Sequence, residues 1–119
     1  MEDYKLGVIE SRFADIIWEN EPITTKELVE RCAEELSWKR TTTYTVLKKL
    51  CEKGFFEMRA RVVTSLVSKS EYHSIQSEKF VDENFHGSLP ALVVAFGSRK
   101  KLSQKEIEEL QRVIDSMKG

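Results

Sequence analysis

The spacing of apolar residues changes several times along the chain, and each change marks an element. Ile9, Phe13, Ile16 and Ile17 recur at intervals of three and four, which predicts a helix over about Val8 to Glu19 with those residues inward and Trp18 at the stripe's edge. Asn20-Glu21-Pro22 ends it, because proline disfavours a helical conformation in the residue before it. Ile23 is then a lone apolar residue, expected as a single strand rung against a later hairpin. Thr24-Thr25-Lys26-Glu27 has the form of a capping box, Thr24 bonding forward and Glu27 reaching back. It opens a second helix to Leu36 that is expected to bury Leu28, Val29, Cys32 and Leu36. A third helix, Lys39 to Lys53, keeps Val46, Leu47, Leu50 and the methyl of Thr43 on one face. Gly54 stops it, and two extended runs follow, Phe55 to Arg59 and Arg61 to Val67.

The second half is helical in pattern. A fourth helix is expected from Lys69 or Ser70 to about Phe85, with Tyr72, Ile75, Phe80 and Phe85 making contacts and His86-Gly87-Ser88 ending it. Leu89 to Phe96 is apolar nearly all round, with Pro90 suited to a helix's first turn. Gly97 to Lys101 is expected as a basic, polar link, and Ser103-Gln104-Lys105-Glu106 as a second capping box opening the last helix. There Ile107, Leu110, Ile114 and Met117 form a narrow seam of the kind that packs helix on helix. A helix without a polar face must be covered on every side. The expected cover is a second copy of the chain, laid on Leu89, Leu92, Val93 and Phe96 together with that seam; the alternative is that these helices fold back on their own N-terminal domain.

Three helices followed by a two-stranded hairpin predict a mainly α fold with a small β-hairpin: a winged helix-turn-helix over residues 1–69, then a helical dimerisation module over residues 70–119. The outward face of the third helix carries Thr41, Tyr44, Thr45 and Lys48, flanked by Thr42 and Lys49, with no acid among them. Such a face suits a DNA major groove, with Arg59 and Arg61 near the hairpin turn reaching backbone or minor groove. Thr41, Tyr44 and Thr45 are the candidates for base or methyl contacts. Lys39, Arg40, Lys48, Lys49, Arg59 and Arg61 are the candidates for phosphates. The acids Glu30, Glu34 and Glu35 put the second helix partly away from DNA.

Charge changes the picture only when it is taken by segment. The net charge of −1 announces no nucleic-acid binder, yet residues 37–69 hold eight basic and two acidic side chains, against four and ten in residues 1–36. A local patch can drive phosphate binding whatever the total. Two rival readings stay open: a winged helix used as a protein-interaction module, and a ligand- or redox-sensing regulator working through Cys32 or Cys51.

Candidate chemistry of other kinds is thin. Cys32 and Cys51 fall on the apolar sides of helices, without partners at metal-ligand spacing, and read as core thiols. His73 and His86 are isolated, and phosphate loop, nucleophile elbow and zinc-protease His pair are all missing, so neither an enzyme, a metal site nor a cofactor is expected. At 119 residues the chain is one small domain, or one domain with an oligomerisation extension. The acidic start lacks a signal core and no apolar run nears the roughly 20 residues of a membrane span, so a cytoplasmic protein without membrane insertion is expected.

The stretches "IIWENEPITTKELVE", "WKRTTTYTVLKKLCEKGFFE", "VVTSLVSKSEY", "FHGSLPALVVAF" and "KKLSQKEIEELQRVID", in that order, resemble the penicillinase-repressor family of bacterial transcriptional regulators (BlaI/MecI/CopY) from about Leu6 to Met117. The resemblance implies a homodimeric repressor whose winged helices each take half of a two-fold operator in double-stranded DNA. It carries Thr41, Thr42, Tyr44, Thr45 and Lys48 over as groove-reading positions. It also implies relief of repression through a membrane sensor-protease pathway that leads to a cut in the dimerisation region. The family's Asn-Phe cleavage bond matches Ala95-Phe96, where the phenylalanine is kept and the asparagine is not. The paired Cys-x-Cys motifs of the copper-responsive branch are not found near Met117.

Overall fold

A computed structural model describes residues 4–118, with the element order α1 (Val8–Asn20), β1 (Ile23–Thr24), α2 (Thr25–Leu36), α3 (Arg40–Glu52), β2 (Phe56–Arg59), β3 (Val62–Ser65), α4 (Lys69–Phe85), α5 (Leu89–Arg99) and α6 (Gln104–Ser116). The chain forms two compact units, residues 1–76 and 77–119, and α4 runs through the division. The boundary expected after Lys69 falls at the first residue of α4. Tyr72, three residues into that helix, is buried in the first unit's core and its hydroxyl accepts the Leu6 N–H at 2.8 Å.

Helices α1, α2 and α3 build that core. From α1 it takes Phe13, Ala14, Ile16 and Ile17. Ile9, expected inward, is half exposed, because it lies a turn ahead of the core; Leu6, before the helix, is buried instead. From α2 come Thr25, Leu28 and Cys32, while Val29 and Leu36 are only partly covered. Thr24 caps α2, its hydroxyl accepting the Glu27 N–H at 3.1 Å. The reciprocal half of the expected box is not made, since the Glu27 carboxylate turns to Arg31 at 2.9 Å. Ser37, left-handed at φ 58°, ends α2, and Trp38 stacks on Phe13 at 5.5 Å before α3 begins. Thr43, Leu47 and Leu50 are the buried face of α3.

The expected rung at Ile23 is present. It pairs with Val63, giving a three-stranded antiparallel sheet in the order β1-β3-β2. The strands are shorter than the apolar runs, because Phe55 packs at the helix-to-strand junction, stacked on Tyr4 at 4.6 Å. Arg59 pairs with Val62, so the hairpin tip is Ala60-Arg61, with φ of 51° and 64°. Two residues at positive φ form the kind of turn whose twist matches that of the strands it joins. Trp18 donates its indole N–H to the Val67 carbonyl at 2.9 Å, tying the outgoing chain to α1.

In the second unit, Ser88 caps α5 by accepting the Ala91 N–H at 3.1 Å, with Pro90 in the first turn. The helix runs on through Gly97 to Arg99, longer than its apolar run, so the expected polar link begins only at Lys100. The second capping box forms, Ser103 and Glu106 each accepting the other's backbone N–H at 3.1 Å. No residue of α5 or α6 is buried, and in α4 the expected contact residues Ile75 and Phe80 are exposed, the Phe80 ring lying 6.1 Å from that of Phe85.

Candidate nucleic-acid interface

Burial of Thr43, Leu47 and Leu50 turns the opposite side of α3 outward, and Thr41, Thr42, Thr45 and Lys48 are exposed there. Lys39, the N-cap, makes no side-chain cap bond and is exposed. Thr45 donates its hydroxyl to the Thr41 carbonyl at 2.9 Å, which commits its proton and leaves the methyl and an accepting oxygen for other contacts. Tyr44 is half-buried, with the Arg40 guanidinium 5.5 Å from the centre of its ring. That contact holds both groups at the wing side of α3. Lys49 lies on the other flank, and its ammonium is 2.8 Å from the Glu10 carboxylate of α1. The Lys49 hydrogen bond holds Glu10 below the usual carboxylate range.

The hairpin arginines diverge. Arg59 is 84% exposed in its side chain and lies 3.5 Å from the Glu57 carboxylate. Arg61 sits at the tip and lines a cleft of about 650 Å³ with Arg40, Tyr44 and Lys26. Lys26 was not singled out by sequence reasoning. The available signal was a lone cation in the first turn of an otherwise acidic helix, which the acids at Glu30, Glu34 and Glu35 obscured. Met58 was also missed: it shares the sheet face of Phe56 but lies beyond the core's edge, in a groove with Tyr44, Leu47 and Cys51.

Burial pushes the Cys32 thiol up to about 11 and raises that of the partly covered Cys51 as well. A thiol shifted that way carries little thiolate near neutrality, which weakens the redox-sensing reading. Among the described residues, no three His, Cys, Asp or Glu side chains cluster as metal ligands would. No helix among them is long and apolar enough to cross a membrane.

The second unit presents a different surface. Leu92, Val93, Phe96, Leu102, Leu110 and Val113 line an apolar groove of about 430 Å³ between α5 and α6. Of the expected seam only Leu110 lines this groove; Ile107, Ile114 and Met117 are exposed beside it, as is Leu89 on α5. The apolar surface is thus wider than a seam, with Val113 of α6 and Leu102 of the preceding link added to it.

Helix, strand rung, helix, outward-facing third helix and two-stranded hairpin together define a winged helix-turn-helix protein of the DNA-binding kind. A sequence profile of the penicillinase repressor family matches residues 6–116, and the chain belongs to that family. It is 29% identical over 108 residues to the penicillinase repressor of Bacillus licheniformis, covering 87% of this chain and 84% of that one. It is 28% identical over 116 residues to the methicillin resistance regulatory protein MecI of Staphylococcus aureus, covering 94% of each. The MecI protein of Mammaliicoccus sciuri is 27% identical over the same length. Membership places this chain among DNA-binding transcriptional repressors.

Proposed function

We propose that the protein represses transcription as a homodimer, each subunit laying α3 in the major groove of one half of a two-fold operator. The observation that carries the reading is the separation of two surfaces on one short chain. One is a cationic, hydroxyl-rich helix face beside an arginine-tipped wing. The other is a pair of C-terminal helices whose large apolar residues, Val93, Phe96, Leu110 and Ile114 among them, are uncovered in the single chain. Burying apolar surface releases roughly 25 cal/mol per Å², and a second copy supplies the same complementary groove and ridge. Pairing makes the second half-site contact intramolecular, which raises affinity by about 10²–10⁴ without any new contact. The bound dimer then occludes the promoter.

Relief of repression is assigned to a cut between Ala95 and Phe96. Both residues are exposed in the middle of α5, and Phe96 lines the apolar groove, so the cut divides the pairing surface. Gly97 weakens the helix there by about 1 kcal/mol relative to alanine, easing the local opening that a protease needs. The similarity to a penicillinase repressor and to methicillin resistance regulatory proteins supports a partner pathway that begins at a membrane sensor protease.

A mobility-shift series with DNA from upstream of the chain's own reading frame, at several salt concentrations, tests the reading together with sedimentation of the free protein. Tight, salt-dependent binding by a dimer is expected. Weak binding with little salt dependence would support a protein-interaction module instead.

A further inference from the structure

We infer that the cleft between the wing and the first turns of α2 and α3 seats a single backbone phosphate of the DNA duplex, clamped by Lys26, Arg40 and Arg61. The inference rests on the proposed DNA-binding function and specifies how the wing takes part in it.

Three separate elements deliver the three cations. Strand β1 pairs Thr24 with Val62, which lays the start of α2 along the hairpin. The next residue, Thr25, donates its backbone N–H to the Arg61 carbonyl at 3.0 Å, so the hairpin tip is pinned to the first turn of α2. Lys26 follows directly in the chain and lines the same cleft as Arg61. Arg40, the first residue of α3, closes the third side, its guanidinium held over the Tyr44 ring at 5.5 Å.

Among the described residues, Lys26, Arg40 and Arg61 have no ion pair, whereas Lys49, Lys69 and Arg31 each have one. The three cations line one open cleft of about 650 Å³, and an anion entering it would meet all three. The N-terminal end of α2 adds its partial positive charge to the same cleft. Guanidinium forks match phosphate oxygens in geometry, and an ammonium serves as a point charge beside them. Arg61 is therefore a backbone clamp, not a minor-groove probe; Arg59, pointing free of the cleft, is the wing residue left to reach further along the duplex.

The test uses the full chain and a short random-sequence duplex, with affinity measured by fluorescence anisotropy across a range of salt. Lys26→Gln, Arg40→Gln, Arg61→Gln and the triple variant are compared with the parent, and circular dichroism verifies the fold of each. One shared phosphate predicts that the triple variant lowers the salt slope by about 0.9, and that each single variant already takes most of the affinity loss. A fall of about 2.7 in the triple variant, with additive singles, means three separate phosphates and overturns the shared seat. An unchanged slope removes the cleft from the interface altogether. If the parent itself shows no salt-dependent binding, the DNA-binding function fails, and this inference falls with it. Should Arg61→Gln disturb the turn, Arg61→Lys keeps the charge and must restore the slope.

Discussion

The ammonium of Lys49 lies 2.8 Å from the carboxylate of Glu10, joining the flank of α3 to the first turn of α1. Its neighbour Lys48 has no ion pair among the described residues and projects from the exposed face. Two adjacent lysines, equivalent in sequence, therefore have different tasks. Lys48→Ala should lower the salt slope of DNA binding by about 0.9, the amount for one phosphate. Lys49→Ala should leave most of the slope intact and lower stability by roughly 0–1 kcal/mol, the range for a partly exposed ion pair. Salt titrations and thermal melts of the two variants separate these outcomes; equal loss of slope in both would place Lys49 on the DNA.

The same pair predicts a pH dependence. Glu10 is held below the ordinary carboxylate range in the folded chain, so the folded state favours its ionised form. Its contribution to stability is therefore complete above the unfolded value. It is lost as pH falls through the lower folded value, where both states become protonated. Melting temperatures of the parent and of Glu10→Gln should differ near neutrality and converge in acid. A constant difference across that range would mean that the glutamine acts by some route other than the charge.

Thr45 spends its hydroxyl proton on the Thr41 carbonyl, so it is not free to donate to a base, and the expected contact is through its methyl group. Thr45→Val, which keeps a methyl, should bind the operator nearly as well as the parent. Thr45→Ser, which keeps only the hydroxyl, should lose on the order of 1 kcal/mol, about the value of one buried carbon. Operator titrations showing the reverse order would make the hydroxyl the contact.

Much of this was legible in the sequence because local rules agreed with the fold. The spacing of Phe13, Ile16 and Ile17, the break at Pro22, the rung at Ile23 and the stop at Gly54 each point to one structure, and that structure forms. What was not legible depends on contacts distant in sequence. Glu27 leaves the capping box because Arg31 competes for it, and Ile9 stays outside because Leu6 and Tyr72 close that end of the core. The candidate site divides in the same way. Periodicity shows which face of α3 is polar, but pairing with α1 claims Lys49 from that face. Lys26 joins the cleft only because β1 lies against β3, which no spacing within α2 reveals.

The exposed apolar groove of α5 and α6 predicts what a charge would do there. Leu110→Asp places a carboxylate among Leu92, Phe96 and Val113, where pairing of two chains would desolvate it. The variant should sediment as a folded monomer and bind a complete operator about 10²–10⁴ weaker than the parent, through loss of effective concentration. A folded monomer that binds as tightly as the parent would remove dimerisation from the mechanism.

The wing tip carries two residues, Ala60 and Arg61, in the left-handed region, and neither is glycine. Each gives up about 1–2 kcal/mol to hold that conformation. At position 60 no charge is at stake, and glycine or asparagine there would relax the turn. At position 61 the residue best suited to the backbone is the one that removes the charge. Selection for stability alone would drift both positions toward glycine, whereas selection for repression would let the first drift and hold the second at arginine. A library randomised at these two codons and sorted both ways would therefore diverge at one position and agree at the other.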